Sequence, residues 1–324
     1  MKAIVWTKYG PPEVLQLQEM EKPTPGDNEV LVKVHAASIN PLDYHMVRGP
    51  WLARLMTKGY RRPKSPNAGS DFSGRVEAVG KNVTEFQPGD EVFGAKRGAL
   101  GEYVCALEKY LVLKPANITF EQAAAVPVAA VTALQAVRDK GQIKPGQRVL
   151  VNGASGGVGT FTVQIAKAFG ADVTAVCSTK NLEMVRSIGA NHVVDYTQED
   201  VTRSGQCYDV ILDNAGTLSI SRRLRALCPG GTCVGVGFHS MGLMLQNLLL
   251  GPLVSRMGSK KIRTMLAQLN KDDLTFLKQL LADGKVVPVI DRRYPLSEVP
   301  EAFRYAEKRH ARGKVIITVE HKDE

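Results

Sequence analysis

The sequence is poor in cysteine and lacks the cysteine spacings that hold a structural metal. Its five cysteines, Cys105, Cys177, Cys207, Cys228 and Cys233, are scattered through 324 residues, and no C-x-x-C pair occurs. Secreted disulfide-rich domains use cysteine far more densely, and zinc lobes need closely spaced pairs of ligands. We therefore expect reduced thiols in a cytoplasmic protein.

No repeat or low-complexity segment stands out in the sequence, and we expect no secretory signal. The first ten residues, MKAIVWTKYG, contain no long apolar core of the kind found in secretory signals. Hydrophobic residues make up 44% of the chain and charged residues 23%, which is typical of a globular protein. A length of 324 residues exceeds the usual single core and favours two domains.

Positive charge is in excess, but it is not concentrated in a recognisable motif. Lysine and arginine number 42 against 32 for aspartate and glutamate, which gives a net charge of +10. Basic surfaces attract nucleic acid, anionic lipid or phosphorylated ligands in general. The basic residues are spread along the chain, with only small clusters at residues 58–62 and 222–225. We expect no specific nucleic-acid partner.

Two sequence patterns succeed each other along the chain. β-branched stretches at residues 30–34 and 74–79, bounded by Gly, Pro and Asn, predict a β-rich segment over residues 1–125. Strand and helix patterns then alternate, which favours a parallel sheet covered by helices on both faces. The strands of this part are predicted at residues 149–152, 172–176, 192–194, 208–213 and 231–236.

The carboxyl-terminal part returns to the style of the first segment. It has strand candidates at residues 286–290 and 314–319, with predicted helices at 271–283 and 301–308. We therefore expect a discontinuous domain, residues 1–126 and 268–324, with a nucleotide-binding domain, residues 127–267, inserted into it.

The glycine-rich turn at residues 153–159 is the strongest local motif. It follows an apolar strand, opens a helix and precedes a second strand. Ala154 takes the first place of the fingerprint, Gly156 lets the backbone approach a diphosphate, and Gly159 lets the helix pack on the strand. The amide groups and dipole of the new helix then face the phosphates. The pattern predicts a dinucleotide site rather than a purely structural turn.

The residues after the second strand indicate which dinucleotide is bound. An NAD site usually carries Asp or Glu there, and the carboxylate accepts hydrogen bonds from the ribose 2′-hydroxyl. Residues 176–180 read VCSTK and contain no acid. A carboxylate would repel the 2′-phosphate of NADP, whereas Ser178 can donate a hydrogen bond to it and Lys180 supplies positive charge. The sequence therefore predicts NADPH as the cofactor.

These residues belong to a longer pattern. Residues 153–167, GASGGVGTFTVQIAK, resemble the signature of the quinone oxidoreductase and zeta-crystallin group of the medium-chain dehydrogenase/reductase superfamily. Further matches to this group lie at residues 38–43, 69–74, 86–92, 212–216 and 313–315.

The resemblance implies a fold class that agrees with the sequence pattern. The fold is α/β, with a Rossmann doubly wound parallel sheet inserted in a β-rich, GroES-like catalytic domain formed by both ends of the chain. Ligands in such folds bind outside the carboxyl ends of the parallel strands.

The resemblance also assigns residues to the cofactor. Thr132 falls on the nicotinamide side, and Tyr196 falls at the adenosine phosphate end. Ordinary packing is the alternative for Thr132 and Phe238, and a surface position is the alternative for Lys314. Together with the turn, the predicted cofactor-binding residues are Thr132, Ala154, Ser155, Gly156, Gly157, Val158, Gly159, Ser178, Lys180, Tyr196, Asn214, Gly237, Phe238 and Lys314.

Asn40, Asp43 and Tyr44 are the candidates for catalytic residues at the substrate end. Asn40 and Asp43 match the family's Asn-Pro-x-x-Asp run, and Tyr44 can donate a proton or a hydrogen bond. The alternative is that Asp43 only holds the loop and that Tyr44 only packs.

No metal is expected in the site. Zinc alcohol dehydrogenases share the fold and bind zinc through Cys, His and Glu, but residues 40–43 contain no cysteine. Where those enzymes have Gly-His-Glu, this sequence reads Gly69, Ser70 and Asp71. Without a Lewis acid, a quinone or an α,β-unsaturated carbonyl is a better hydride acceptor than a simple ketone, because the new charge is delocalised.

Three functions are therefore compatible with the sequence. The first is an NADPH-dependent, zinc-independent reductase of quinones or α,β-unsaturated carbonyls, and the second is an enoyl-thioester reductase on the same fold. The third is a non-catalytic NADPH-binding protein with an RNA or membrane partner.

Two stretches depart from the simpler relatives. Residues 50–66 lengthen a loop, and residues 241–257, MGLMLQNLLLGPLVSRM, are strongly apolar but interrupted by Gln246, Asn247 and Pro252. A hydrophobic substrate wall or a homodimer contact is the first interpretation of the second stretch. Membrane-surface contact through residues 241–261 is another, and ordinary core packing is the third. The resemblance also implies a homodimer, because residues 232–236 lie where relatives pair their Rossmann sheets and an edge strand needs cover.

Overall fold

The computed structural model describes residues 1–49, 63, 67–237 and 241–321. The predicted cofactor residue Phe238 and the loop at residues 50–66, apart from Pro63, lie outside the described residues.

The described part of the chain alternates short strands with short helices. Its strands are β1 (Lys2–Val5), β2 (Gln16–Glu19), β3 (Glu29–Ile39), β4 (Asp71–Val79), β5 (Glu91–Ala95), β6 (Tyr103–Leu107), β7 (Leu111–Leu113), β8 (Arg148–Asn152), β9 (Asp172–Cys177), β10 (His192–Asp195), β11 (Tyr208–Asp213), β12 (Leu227–Gly235), β13 (Lys261–Thr264), β14 (Ile290–Pro295) and β15 (Lys314–Thr318). Its α-helices are α1 (Pro41–Arg48), α2 (Phe120–Ala124), α3 (Pro127–Gln135), α4 (Gly157–Ala168), α5 (Leu182–Ser187), α6 (Ile220–Ala226), α7 (Met241–Met257), α8 (Lys271–Ala282) and α9 (Val299–Glu307).

The chain forms two compact units. Unit 1 comprises Met1–Ala129, Leu269–Asp283 and Pro288–Glu324, and unit 2 comprises Ala130–Gln268 and Gly284–Val287. The short segment 284–287 joins unit 2 because the side chain of Gln164, on α4, holds the backbone of Val287. Gln164 Nε2 donates to Val287 O at 3.0 Å, and Val287 N donates to Gln164 Oε1 at 2.8 Å.

Unit 1 is built on a seven-stranded sheet. The strands lie in the order β14-β15-β3-β4-β5-β7, and β6 pairs with β3. The terminal strand β15 pairs antiparallel with β3 and parallel with β14, so both ends of the chain share one sheet. Alternate residues of β3, Val30, Val32 and Val34, are completely buried in the core of this unit. This period-2 pattern is typical of a strand with one face in a core.

Unit 2 contains a six-stranded sheet in the order β10-β9-β8-β11-β12-β13, with every pair parallel. Val149, Leu150 and Val151 of the central strand β8 are all fully buried, as expected when helices cover both faces of a parallel sheet. The chain runs outward from β8 through β9 to β10 and then returns to β11 on the other side of β8. The carboxyl ends of β8 and β11 therefore form the topological switch point, where such sheets bind their ligands. The prediction of an inserted parallel sheet is confirmed.

Three local predictions were wrong. The strand expected at residues 286–290 begins only at Ile290, because residues 284–287 belong to unit 2. The strand expected at the sheet edge, residues 232–236, is covered by β13, which pairs with it from Thr232 to Gly235. Cys207 and Cys228 form a disulfide with their Cα atoms 4.9 Å apart, so these two cysteines are not the expected reduced thiols.

The apolar stretch at residues 241–257 forms helix α7, which packs on the edge strand β13 through Gly251 and Ile262. Its outward face exposes Leu249 and Leu253, whose side chains are 67% and 52% accessible. None of the helices in the described ranges has the length and apolarity required to span a membrane.

Candidate functional site

The glycine-rich turn connects β8 to α4 at the switch point of unit 2. β8 ends at Asn152, and α4 begins at Gly157 with Gly156 as its N-cap. A Cβ atom on Gly159 would lie 2.0 Å from Gly153 O, so only glycine lets the first turn of α4 approach the strand end this closely. Gly153 itself has a φ of 77°, in the region that favours glycine. The free amide groups at the start of α4 are therefore fixed at the carboxyl end of the sheet.

The neighbouring strand ends are joined by a buried polar network. Asn152 Nδ2 donates to Asp213 Oδ1 at 2.7 Å, and Asp213 Oδ2 pairs with Arg223 Nη2 at 2.8 Å. Asp213 also accepts hydrogen bonds from the backbone N–H groups of Gly216 and Leu218. Asp213 and Arg223 are both fully buried, so this ion pair holds the loop that follows β11 in one conformation. Sequence reasoning missed Arg223, which lies in an otherwise ordinary basic run.

Asn214 stands at the start of that loop with an unused donor. Its Nδ2 atom is buried and has no hydrogen-bond partner in the described part of the chain, while its Oδ1 accepts a long hydrogen bond from Thr162 at 3.5 Å. Buried amide donors are satisfied in most native proteins, so an orphan at a switch point is what a bound ligand would satisfy. Asn214 is one of the predicted cofactor residues.

Ser155 and Ser178 are brought together by Asn181, a residue that sequence reasoning missed. Asn181 Nδ2 donates to Ser155 Oγ at 2.9 Å and to Ser178 Oγ at 3.2 Å. Both hydroxyl groups act as acceptors in these contacts and keep their own hydrogens for another acceptor. A phosphate group is an acceptor of the kind that such hydroxyls bind. Lys180 is exposed two residues after Ser178.

An acid also lies at this end of the sheet, outside residues 176–180, on which the prediction of NADPH rests. The parallel pairing of β10 with β9 places Asp195 beside Cys177. Asp195 accepts hydrogen bonds from the hydroxyl of Thr179 and from the backbone and hydroxyl of Thr197, and the Thr179 contact is the main reason that its pKa is lowered. The carboxylate is therefore ionised, with threonine donors around it.

The other predicted cofactor residues occupy varied positions. Thr132 lies on α3, Gly157 and Val158 lie in the first turn of α4, and the backbone of fully buried Ala154 is anchored because its N–H donates to Val176 O at 3.0 Å. Tyr196, which follows β10, is 63% exposed. A Cβ atom on Gly237 would lie 2.2 Å from Asn214 O, so that glycine allows close approach to the loop after β11.

The residues of unit 2 fit a dinucleotide. The turn offers helix amides and the hydroxyl of Ser155 to phosphates, Ser178 offers a second hydroxyl after β9, and the orphan amide of Asn214 offers a donor at the switch point. Because Gly159 has no side chain, the first turn of α4 packs against the backbone of Gly153, and its amide groups stay beside the turn.

Unit 1 contains a second polar feature, a buried cluster of Asn40, Asp71 and Lys314. Lys314 Nζ donates to Asn40 Oδ1 at 2.6 Å and lies 3.6 Å from Asp71 Oδ2. Asn40 Nδ2 donates to the same Asp71 oxygen at 2.9 Å. Burial raises the pKa of Asp71 and lowers the pKa of Lys314, and the pairing of the two opposes both changes. Lys314, predicted at the cofactor, is therefore placed in this cluster and is only 3% exposed.

Asp43 extends the cluster toward the surface. Its Oδ2 accepts the backbone N–H of Asn40 at 2.8 Å, which closes the capping box of α1. Its Oδ1 accepts a hydrogen bond from Ser70 Oγ at 2.7 Å. Burial is the main reason that the pKa of Asp43 is raised to about 6. The interpretation that Asp43 holds the loop is thus part of what the structure shows, because the carboxylate caps the helix.

A surface pocket lies beside Asp43 and Ser70. Its described walls include the apolar side chains of Trp6 and Met46, and the exposed Arg97 also lines it. Polar groups set among apolar side chains are the kind of lining that small-molecule sites use. Sequence reasoning had named Asp43 but not Ser70, although Ser70 lies in a motif that matched the family.

Tyr44 does not share this pocket. The described residues that line it include Leu42, Asp43 and Met46 of the same helix, but not Tyr44. The Tyr44 side chain is 6% exposed and interacts with Arg309; burial is the main reason that its pKa is raised. The structure thus brings Asn40 and Asp43 together, whereas the Tyr44 side chain interacts with Arg309 instead.

No group of three or more His, Cys, Asp or Glu side chains within the described ranges is arranged to hold a metal ion. The carboxylate of Asp71 faces the ammonium of Lys314 instead. A divalent cation beside this ammonium would meet electrostatic repulsion at short range.

Comparison with known proteins agrees with both units. Residues 26–116 match the alcohol dehydrogenase GroES-like domain, and residues 188–317 match the family described as zinc-binding dehydrogenase. The chain is 39% identical to the mitochondrial NAD(P)H oxidoreductase RTN4IP1 of Mus musculus, with 98% of this chain and 89% of that protein covered. It is 35% identical to the chloroplastic NADPH-dependent alkenal/one oxidoreductase of Arabidopsis thaliana, with 98% and 79% covered.

A solved structure shows the same fold over the full length. The quinone oxidoreductase of Escherichia coli, solved in complex with NADPH, superposes with a TM-score of 0.81 at 27% identity, with 98% of this chain and 100% of that chain covered. The two domain matches, the identity with full-length oxidoreductases and the shared fold confirm the resemblance seen in the sequence. The chain belongs to the quinone oxidoreductase group of the medium-chain dehydrogenase/reductase superfamily, and it is an oxidoreductase.

Proposed function

We propose that this oxidoreductase uses NADPH to reduce quinones or α,β-unsaturated carbonyls by hydride transfer, without zinc. The observation that carries the proposal is the pocket of unit 1. Its apolar walls also contain an acid and a hydroxyl group, Asp43 and Ser70, which are hydrogen-bonded to each other. The relatives support it, because they include an NADPH-dependent alkenal/one oxidoreductase and a quinone oxidoreductase solved with NADPH.

The substrate class follows from how negative charge is stabilised. Bound NADPH would supply the hydride. Reduction of a simple ketone concentrates charge on one oxygen and is harder without a Lewis acid, whereas an enone or a quinone spreads the charge over a conjugated system. Neutral hydrogen-bond donors and a carboxyl group of raised pKa are sufficient partners for such a delocalised anion. Asp43 and Ser70 match that requirement.

Other residues of the chain would bind the cofactor and exclude water. Ser155 and the amides at the start of α4 would hold the diphosphate, and Asn214 would donate its free amide hydrogen to the cofactor. Ser178 and Lys180 would contact the 2′-phosphate, which supports NADPH over NADH. Trp6 and Met46 would exclude water from the reacting end of the substrate.

Independence from zinc is supported by the charges in unit 1. Lys314 supplies the positive charge that Asp71 requires, and Ser70 stands in the motif where zinc enzymes of this fold have histidine. Hydroxyl and amide groups bind zinc far less readily than thiolate and imidazole do.

The decisive experiment is a panel of acceptors with purified protein. Consumption of NADPH and of NADH would be followed with a naphthoquinone, a 2-alkenal, an enoyl thioester and a saturated ketone, each with and without a chelator. The proposal expects turnover of the quinone or the alkenal with NADPH that the chelator does not change. Faster turnover of the enoyl thioester, a preference for NADH, or inhibition by the chelator would each overturn the corresponding part.

A homodimer and a cytoplasmic location remain parts of the proposal. Support for a dimer comes from β13, which lies at an edge of the sheet of unit 2, and from the exposed leucines on α7 beside it. Light scattering of the wild type and of a Leu249→Ser, Leu253→Ser double variant tests this contact. Two monomeric samples would contradict a dimer, and binding of the wild type to anionic vesicles would favour a membrane-surface contact instead.

A further inference from the structure

Ser70 and Asp43 form a hydrogen-bonded pair on the wall of the unit 1 pocket. Ser70 Oγ lies 2.7 Å from Asp43 Oδ1, and both residues line the pocket. Asp43 is 6% exposed, whereas Ser70 is half-buried, so the hydroxyl is the more accessible member of the pair. A ligand in the pocket would reach Ser70 before it reached the carboxyl group.

The two oxygens of Asp43 differ in how well they hold a proton. Oδ2 accepts the backbone N–H of Asn40 at 2.8 Å, and a proton on Oδ2 would weaken this hydrogen bond, because a hydroxyl oxygen is a poorer acceptor than a carbonyl oxygen. The Asn40 side chain is held in turn by Lys314 and Asp71, so this donor does not move away. A proton on Asp43 therefore sits on Oδ1, in the hydrogen bond with Ser70.

The protonation state of Asp43 then decides which way the Ser70 hydroxyl points. When Asp43 is ionised, Ser70 donates its hydrogen to Oδ1 and offers only lone pairs to the pocket. When Asp43 is neutral, Oδ1–H donates to Ser70 Oγ, and the serine hydrogen is free for an acceptor in the pocket. The pair thus offers a proton to the pocket only in the neutral form.

We propose that Ser70 is a catalytic residue that passes a proton from Asp43 to the carbonyl oxygen of the substrate. The inference rests on the proposed function, because it needs a substrate that becomes an oxyanion in the pocket.

The step balances for an α,β-unsaturated carbonyl. The substrate gains a hydride at its β-carbon, a C–H bond forms there, and the electron pair of the C=C bond moves toward the carbonyl oxygen. In the same step this oxygen takes the Ser70 hydrogen, Ser70 Oγ takes the hydrogen of Asp43 Oδ1, and the substrate becomes an enol. Asp43 is left ionised and regains a proton from water, and the enol tautomerises to the saturated carbonyl. A quinone takes its proton by the same route and leaves as a hydroquinone.

The charges around Asp43 define the expected pH dependence. Asp71 and Lys314 act on it from within the cluster in opposite directions, and Arg97 lines the same pocket. Burial outweighs these contacts and raises the pKa of Asp43 to about 6. The neutral, proton-donating form is therefore lost as the pH rises through this value, and kcat should fall with it.

The test compares Ser70→Ala with Ser70→Thr, which keeps the hydroxyl. Single-turnover oxidation of NADPH by an alkenal would be measured from pH 5 to pH 9 in water and in D₂O. General acid catalysis is worth about 10²–10⁴-fold, so Ser70→Ala should lower kcat by about 100-fold or more, with little change in KM. In Ser70→Ala the rate should no longer fall as the pH rises, and the solvent isotope effect should be lost. Ser70→Thr should keep both.

A second readout does not depend on turnover. Titration of the Asp43 carboxyl carbon by ¹³C NMR, assigned by its absence in Asp43→Asn, should show a higher pKa in Ser70→Ala. The reason is that the serine hydroxyl stabilises the ionised carboxylate in the wild type. Binding of NADPH, measured by fluorescence, should be the same in all variants.

The two proposals fail in distinguishable ways. If wild-type protein turns over the alkenal and Ser70→Ala keeps the same kcat and pH profile, the relay is wrong and the proposed function stands. An unchanged pKa of Asp43 in Ser70→Ala would also reject the coupling on which the relay depends. If wild-type protein binds NADPH but reduces neither a quinone nor an alkenal, the proposed function fails and the relay fails with it.

Discussion

The dinucleotide end of unit 2 and the buried polar cluster of unit 1 are assembled in opposite ways. The first comes mainly from one contiguous stretch, residues 152–159, with short additions after β9 and β11. The second gathers Asn40, Asp43, Ser70, Asp71 and Lys314 from segments far apart in the sequence. Only the first kind of site can be read as a local motif.

The two regions also differ in the charged groups that they contain. The turn presents backbone amides and hydroxyls and contains no ionisable side chain between Asn152 and Gly159. The cluster buries an ammonium and two carboxyl groups, whose desolvation is tolerated only because they are paired or hydrogen-bonded. Small steric changes should therefore damage the turn, whereas removal of a charge should damage the cluster.

Lys314→Met is expected to have the largest effect on stability. The substitution leaves Asp71 fully buried without its cation, and removal of one partner of a buried ion pair costs about 3–5 kcal/mol. Protonation of Asp71 relieves this cost, so the loss in the free energy of unfolding should be greatest near pH 8 and smaller near pH 5. Urea unfolding at both pH values measures it.

Lys308→Met is the matched control for this prediction. Lys308 is an exposed lysine of unit 1, and its loss should change the free energy of unfolding by less than about 0.5 kcal/mol. If Lys314→Met were as stable as Lys308→Met at pH 8, the cluster would not depend on its charge.

Gly159→Ala is the steric counterpart in unit 2. The new Cβ would lie 2.0 Å from the carbonyl oxygen of Gly153, a backbone atom that cannot rotate away. Overpacking of this kind costs about 1–3 kcal/mol, and the displaced turn should also weaken NADPH binding. Thermal unfolding and NADPH fluorescence titration measure the two effects.

Gly156→Ala serves as the control at the same turn. A Cβ there would meet only Gly153 O at 3.8 Å, an ordinary contact, so the melting temperature should be nearly unchanged. Equal melting temperatures for the two variants would show that the close approach at Gly159 is not required.

Lys180→Ala should affect the choice of cofactor rather than stability. The exposed ammonium is proposed to contact the 2′-phosphate, and a charge-assisted hydrogen bond contributes about 1.5–3 kcal/mol. We expect kcat/KM for NADPH to fall roughly 10–100-fold and kcat/KM for NADH to stay constant. Lys144→Ala, at another exposed lysine of unit 2, should change neither value. An equal fall in kcat/KM for NADPH and for NADH would show that Lys180 does not contact the 2′-phosphate.

The fold was largely predictable because its signals are periodic and local. The apolar run of β8 and the glycines after it predicted a parallel sheet, and β11 was placed at its observed bounds. Residues 286–290 failed as a strand because Gln164, 123 positions away in sequence, holds Val287 in unit 2. The prediction that residues 232–236 form the edge strand was wrong because β13 pairs with them. β13 follows a long helix that the sequence pattern did not define.

The site was predictable only in part, for the same physical reason. Asn214 and Ser155 were named from their motifs, but the role of Asn181 depends on a side-chain contact that spans 26 residues. Asp195 was missed because parallel pairing, not sequence distance, brings it beside Cys177. Lys314 was noticed from its motif, yet its pairing with Asp71 appears only when β15 joins β3.

Tyr44→Phe should have the smallest effect and separates the three predicted catalytic residues. Tyr44 interacts with Arg309 and is not among the described residues of the pocket, so loss of its hydroxyl should change kcat by less than about threefold. Asn40→Ala should lower kcat much more, because it removes the side-chain contacts of Asn40 with Lys314 and Asp71. Steady-state kinetics with a quinone and an alkenal compare the two variants. A large loss in Tyr44→Phe with Ser70→Ala unaffected would assign proton donation to the tyrosine, and the polar cluster would then serve only to hold the loop.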